Sequence, residues 1–254
     1  MSKVMNASLA PRRALIVYAH PEPTSFSAAL KDCAVDALQN LGFAVEVSDL
    51  YAEKFDPVAG RHDFTGEADP ARFHYQTEQL TAWKNQAFSP DIRREQERVS
   101  RADLFIFVFP LWWGGVPAIL KGWFDRVLAY GFAYADGKRY EDGYFRGRRG
   151  VLAISTGGTE HRFTEGGTYG AMSSVLHGVN HCMLAYLGLE TSEPFVAYAA
   201  PRVREEQRAT YLDSWRTYLT SIATSEDWKE RAGQLLTARR EDTTDAEGGW
   251  AKMR

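Results

Sequence analysis

The stretch DLFIFVFPLWWGGVPAILKGWFDRV, residues 103–127, decides the fold. After Asp103 its next seven residues are apolar without a break, the pattern of a strand buried on both faces, as in a parallel sheet, and not of one that alternates between core and solvent. A tight turn over Leu111 to Val116 follows, and Pro117 then stands where a first helical residue is expected. Residues 118–129, AILKGWFDRVLA, carry apolar side chains at helical spacing. A buried strand that runs through a short turn into an amphipathic helix is half of a βαβ unit.

The same pattern repeats on either side. ALIVY (14–18) reads as a first strand, ended by the turn residues His20-Pro21-Glu22-Pro23, and residues 27–40 as a helix that Ser25 or Ser27 could cap. FAVEVSDL (43–50) alternates like a second strand. GVLAIS (150–155) and Glu193 to Tyr198 predict two more, with helices over 91–101, 171–187 and 203–222. Residues 51–90 read as one long irregular, aromatic segment, a length that in a compact domain goes with function or an interface. The expectation is a doubly wound five-stranded parallel α/β sheet of order 2-1-3-4-5 with helices on both faces, over residues 14–224. Residues 1–13 would be an N-terminal extension and 225–254 a charged C-terminal one.

Composition narrows the function. Thirty Lys and Arg against 33 Asp and Glu, a formal charge of -3, offer no basic excess for a nucleic-acid partner. No apolar run approaches the roughly 20 residues that span a bilayer, and the N-terminus lacks an apolar leader; the expectation is a cytoplasmic protein without membrane insertion. Cys33 and Cys182 are too far apart for a metal or redox spacing and are expected to pack in the core.

In such a sheet, ligands lie beyond the carboxyl ends of the strands at the point where strand order reverses. Three loops would meet there. His20 to Ser27 places Thr24, Ser25 and Ser27 at a helix start, suited to a phosphate; Ser-capped helices are also simply common. Pro110 to Val116 sets Trp112 and Trp113 just past the buried strand, where indoles can flank a flat ring or serve as core packing. Thr156 to Tyr169 opens with Gly157 and Gly158, which permit close backbone approach. No GxGxxG and no P-loop is present, so neither of those phosphate-binding modes is supported.

Taken together, HPEPTSFS (20–27), FPLWWGGVPAILKGWFDRV (109–127) and STGG (155–158) resemble the NAD(P)H:quinone oxidoreductase family of flavodoxin-like flavoproteins, closest to its FAD-containing DT-diaphorase type. Ser89-Pro90-Asp91-Ile92 and Phe132-Ala133-Tyr134 match as well, and the resemblance covers about residues 14–222. It implies FAD rather than FMN, and NAD(P)H that delivers a hydride and leaves before a quinone takes two electrons. It also implies a homodimer with the active site where subunits meet. The aromatic segments 72–88 and 123–144 are the expected interface.

By the same resemblance, His20, Phe26 and Ser27 would hold the pyrophosphate and ribityl chain, beside the cofactor candidates Thr24 and Ser25 read from the helix start. Pro110, Leu111, Trp112 and Trp113 would border the isoalloxazine, and Thr156, Gly157, Gly158, Thr159 and Phe163 its pyrimidine side. His74 and Arg208 align with cofactor-contacting positions; Trp113, Gly114, Tyr134, Asp136 and Tyr169 would line the substrate pocket. The sequence departs from the family where animal members carry a Tyr and a His facing the flavin: those positions read Phe163 and Tyr169, and a second pocket Tyr reads Asp136. Tyr169, with His161 nearby, is left as the candidate catalytic donor, and backbone N–H groups can share that work.

Two other functions fit a flavodoxin-like chain. One is a flavin-binding ancillary subunit of a potassium-efflux transporter, which needs a docking surface. The other is a small electron carrier, which needs neither the 51–90 segment nor a helix-rich C-terminal part.

Overall fold

The computed structural model describes residues 12–225 and Trp228. Strands β1 (Arg13–Tyr18), β2 (Ala44–Asp49), β3 (Leu104–Pro110) and β4 (Arg149–Ser155) pair in parallel in the order β2-β1-β3-β4. The fifth position is shared by two short strands. β5 (Glu190–Thr191) pairs with the start of β4 and β6 (Phe195–Ala197) with its end, both parallel. The single strand expected over 193–198 is therefore shorter and preceded by a second piece. Pro194, which has no N–H to give to a ladder, lies between the two.

The pleat of β1 sorts its residues onto two cores. Leu15 and Val17 join Phe105, Phe107, Leu152 and Ile154 under α3 (Pro90–Arg101) and α4 (Ala118–Val127). Ala14, Ile16 and Tyr18 join Leu104, Ile106 and Val151 under α1 (Phe26–Asn40) and α7 (Glu205–Thr224). Every residue of β3 is buried because both its faces are covered, which is what its unbroken apolar sequence demands.

The segment 51–90 is not wholly irregular: it holds α2 (Tyr75–Asn85). Its buried face is Glu78, Gln79 and Ala82, so no apolar stripe advertises it. Gln79 instead satisfies backbone groups, donating to the Asp125 carbonyl (3.2 Å) and accepting from Tyr130 N–H (3.1 Å). The helix expected over 171–187 is broken into α5 (Met172–Val175), α6 (His177–Val179), a π turn (Asn180–Leu184) and a 3-10 turn (Ala185–Leu187). On the π turn Cys182 is exposed, contrary to its expected core position, while Cys33 is buried; the sulfur-bearing neighbour Met183 and the buried Leu184 take the inward positions.

A buried ion cluster ties the 51–90 segment to α4. Arg126, 1% exposed, bonds Asp63 through Nε (2.8 Å) and Asp91 through Nη2 (3.0 Å), and donates to the Asp56 carbonyl (2.5 Å). Tyr75 donates its hydroxyl to the other Asp63 oxygen (2.5 Å). Burial alone would raise the Asp91 carboxyl, but the Ser89 hydroxyl and the Arg126 charge outweigh it and hold the group below the usual carboxylate range. A depressed carboxylate stabilises the fold fully above its unfolded value, about pH 3.9, and stops doing so as pH falls through the folded one. Urea melts between about pH 3 and 5 should therefore show Asp91→Asn losing stability less steeply with acid than the parent; parallel curves would assign the acid sensitivity elsewhere.

The expected extensions at 1–13 and 225–254 lie largely outside the described residues. Arg13 opens β1. Trp228 is fully buried, stacked on Phe43 (6.3 Å), and donates from Nε1 to the Gly147 carbonyl (3.1 Å). No described helix is long and apolar enough to cross a membrane.

Candidate functional site

Three loops leave the carboxyl ends of β1, β3 and β4 and meet along a cleft of about 690 Å³. Of the residues singled out from sequence, it gathers His20, Thr24, Ser25, Phe26, Ser27, Pro110, Leu111, Trp112, Thr156, Gly157 and Arg208. These come from positions almost 190 residues apart in sequence.

On the β1 side, Ser25 caps α1 by accepting from Ala28 N–H (3.1 Å). The first N–H groups of a helix have no intrahelical acceptor, and α1 has no acidic residue in its first turn, so the end facing the cleft is fit for an anion. Ser27 Oγ is already paired with Ser155 Oγ (2.8 Å) in a buried contact below the cleft, which leaves its backbone N–H as the group able to serve a ligand. His20 accepts from Glu22 N–H at Nδ1 (3.0 Å), so Nε2 carries the proton of the neutral ring. Burial lowers the pKa of His20, against smaller opposing contributions from Glu22, which favours that neutral form.

The β3 loop is a closed turn: Trp112 and Gly115 exchange backbone hydrogen bonds (3.2 and 3.0 Å). Trp113 (φ 52°) and Gly114 (φ 71°) occupy its left-handed corner, an unusual conformation for so bulky a side chain as Trp. Trp112 lies against His20 (5.8 Å between rings), whereas Trp113 projects fully into solvent. The β4 loop is pinned to the β6–α7 connection, with Ala200 N–H donating to Thr156 O (3.0 Å) and Ala199 N–H to Gly158 O (2.8 Å). A Cβ on Gly157 would meet nothing within 4 Å, so the backbone there borders open space.

Other candidates lie outside this lining. Thr159 caps a 3-10 turn, Glu160–Phe163, that holds the exposed His161. Phe163 is buried against Tyr169 (5.0 Å) and Tyr198 (5.8 Å). His74 precedes α2 at its N-cap position, its Nδ1 2.8 Å from the Thr77 side-chain Oγ1 and not bonded to the helix backbone. Tyr134 lines a separate depression of about 450 Å³ with Tyr75, Gln76, Cys182 and Tyr186, and Asp136 pairs with Arg139 (3.0 Å). Sequence reading missed Ala29, Ser155, Ala200, Pro201, Glu205 and Leu212 as cleft residues. Ser155 was readable, because it immediately precedes the TGG turn; Ala29 follows on α1, and the other four carry no motif and reach the cleft only through the β6–α7 connection and the start of α7.

Sheet order and cleft together define a doubly wound nucleotide-binding protein of the flavodoxin type. A family profile described as flavodoxin-like fold matches residues 12–219. NAD(P)H dehydrogenase (quinone) 1 of Cavia porcellus is 46% identical over 212 residues, 83% of this chain and 77% of that protein. Ribosyldihydronicotinamide dehydrogenase (quinone) of Homo sapiens is 41% identical over 223 residues, 87% of this chain and 94% of that one. A candidate quinone reductase from Klebsiella pneumoniae superposes with a TM-score of 0.81 at 35% identity, covering 85% of this chain and 86% of its own. The chain belongs to the NAD(P)H:quinone oxidoreductase family of flavodoxin-like proteins.

The residues present fit a flavin: a helix N-terminus without acidic residues in its first turn for phosphate, the Trp112 indole for a flat ring, and a glycine backbone with free space above it.

Proposed function

We propose that this protein is a flavin-dependent NAD(P)H dehydrogenase with a quinone as acceptor, working by two-electron transfer in a ping-pong cycle. The convergence of three loops on one cleft, phosphate-suited at α1 and aromatic at Trp112, carries the reading. The two kinds of relatives differ in the reductant their names give and agree on the quinone. When bound, the flavin would supply the redox chemistry; the protein would orient rings and stabilise charge.

FAD is favoured over FMN. The cleft continues past the α1 N-terminus to Pro201, Glu205, Arg208 and Leu212, a wall that FMN, which ends at its phosphate, would leave unused. A homodimer with the site at the subunit interface is favoured by Tyr134 and Trp113. One lies in a different depression from the cleft, and the other is fully exposed among the described residues. Two free thiols, one of them exposed, suit the cytoplasm.

The test is an absorbance spectrum of the purified protein supplied with FAD, followed by anaerobic NAD(P)H and then a quinone. A flavin spectrum that bleaches and recovers is expected. Bound flavin that NAD(P)H leaves oxidised would point to a carrier or ancillary subunit, and failure to take up FAD or FMN would overturn the reading.

A further inference from the structure

The loop after β4 is built around two aromatic rings and one guanidinium. Gly158, next to the cleft-lining Gly157, is packed so closely that a Cβ on it would lie 2.7 Å from the Phe163 ring and 3.3 Å from the Tyr169 ring. Phe163 is the buried anchor, 8% exposed. Tyr169 rests on it and is half exposed. The loop's register is fixed by Tyr169 N–H donating to Arg162 O (2.9 Å), and by Gly167, where a Cβ would strike the His161 and Arg162 carbonyls at 2.5 and 2.6 Å. These contacts hold Arg162 and Tyr169 side by side.

Arg162 Nη1 donates to the Tyr169 hydroxyl oxygen (3.3 Å), and its guanidinium carbon lies 5.9 Å from the ring centroid. Among the described residues no carboxylate lies within ion-pair distance of Arg162, although Glu160 and Glu165 share its loop. A guanidinium has donors only. The phenol oxygen must therefore accept from it, and the phenol proton is left pointing away from Arg162, available to another acceptor. Hydrogen bonds in a chain strengthen one another, so a phenol that accepts from a cation is a better donor.

We propose that Arg162 is a positioning residue for Tyr169, which stands at Gly158 beside the cleft lining, fixing its hydroxyl as an outward donor to an oxygen of the bound ligand that gains negative charge during reduction. The inference rests on the flavin-reductase reading given above. Arg162 touches no reacting atom in this scheme. It sets the direction of the Tyr169 proton and adds a positive charge behind it, the arrangement that stabilises developing oxyanions.

The test uses the full chain with Arg162→Gln, Arg162→Lys, Tyr169→Phe and the double variant Arg162→Gln with Tyr169→Phe. In flavin-free protein labelled at tyrosine 13Cζ, the resonance absent from Tyr169→Phe should move in Arg162→Gln and stay near its original place in Arg162→Lys. With FAD bound, stopped-flow reduction by NAD(P)H should be about tenfold slower in Arg162→Gln, the loss of about one charge-assisted bond, with unchanged flavin content and reductant affinity. Arg162→Lys should stay within about threefold, and Arg162→Gln should add under about twofold on a Tyr169→Phe background. A Tyr169 resonance indifferent to Arg162, or single effects that multiply in the double variant, would overturn the proposal. Wild-type protein that binds no flavin would instead overturn the reading on which it rests, with the 13Cζ result still reporting on the pair.

Discussion

Gly157→Val will abolish flavin retention while leaving the fold intact. The position has no positive φ, so a side chain costs no backbone strain, and a Cβ there finds no protein atom within 4 Å. The new methyl groups would instead occupy the open space beside Gly157 in which the proposed site would seat a flat ring at van der Waals distance. Each 1.4 kcal/mol of lost contact is about tenfold in affinity, and two misplaced methyl groups are expected to lower it at least a hundredfold. Melting of the flavin-free variant at the parent temperature, together with colourless protein after FAD is supplied, is the expected pair of results. A yellow variant would mean that the ring lies elsewhere in the cleft.

Arg126→Ala should give the largest loss of stability, about 3–5 kcal/mol in chemical denaturation, because it strands a fully buried carboxylate. Asp63 has no exposure, and it would keep the Tyr75 hydroxyl and the Gly60 N–H on one oxygen and only His62 Nε2, at 3.4 Å, on the other. Pairing Arg126→Met with Asp63→Asn removes both charges and should recover a large share of the loss. Lys121→Ala, which breaks a half-exposed pair with Asp125 on the same helix, serves as the control and should leave the denaturation midpoint nearly unchanged. A loss under about 1 kcal/mol for Arg126→Ala would show that water reaches the cluster.

The contrast between these positions also explains what could be read from sequence. β3 was legible because burial on both faces leaves a continuous apolar run, and the loops that follow β1, β3 and β4 were legible as soon as strand order was known. Helix α2 was not, since its inward residues Glu78 and Gln79 are polar and earn their burial through backbone hydrogen bonds. Cys182 misled because Met183 and Leu184 beside it suggest a core, whereas the π turn rotates it outward. At the site, the hydroxyl and glycine positions near strand ends were readable by type. The far wall, from the β6–α7 connection into α7, was not, because Pro201, Glu205 and Leu212 matter there for where the chain returns and not for their chemistry. Arg162 was passed over for a related reason: an arginine in a Glu-flanked loop looks solvated until its hydrogen bond to Tyr169 is seen.

Trp228 and Arg12 have a consequence for protein engineering. The Arg12 guanidinium lies 4.7 Å from the indole of Trp228, on the opposite side of the molecule's sequence but the same corner of the sheet. Residues 12 and 228 are thus within reach of a short covalent linker. Joining them would allow new termini to be opened in a surface turn at the end of the sheet opposite the cleft, and a circularly permuted enzyme so made could carry a fused partner there without either native end being free.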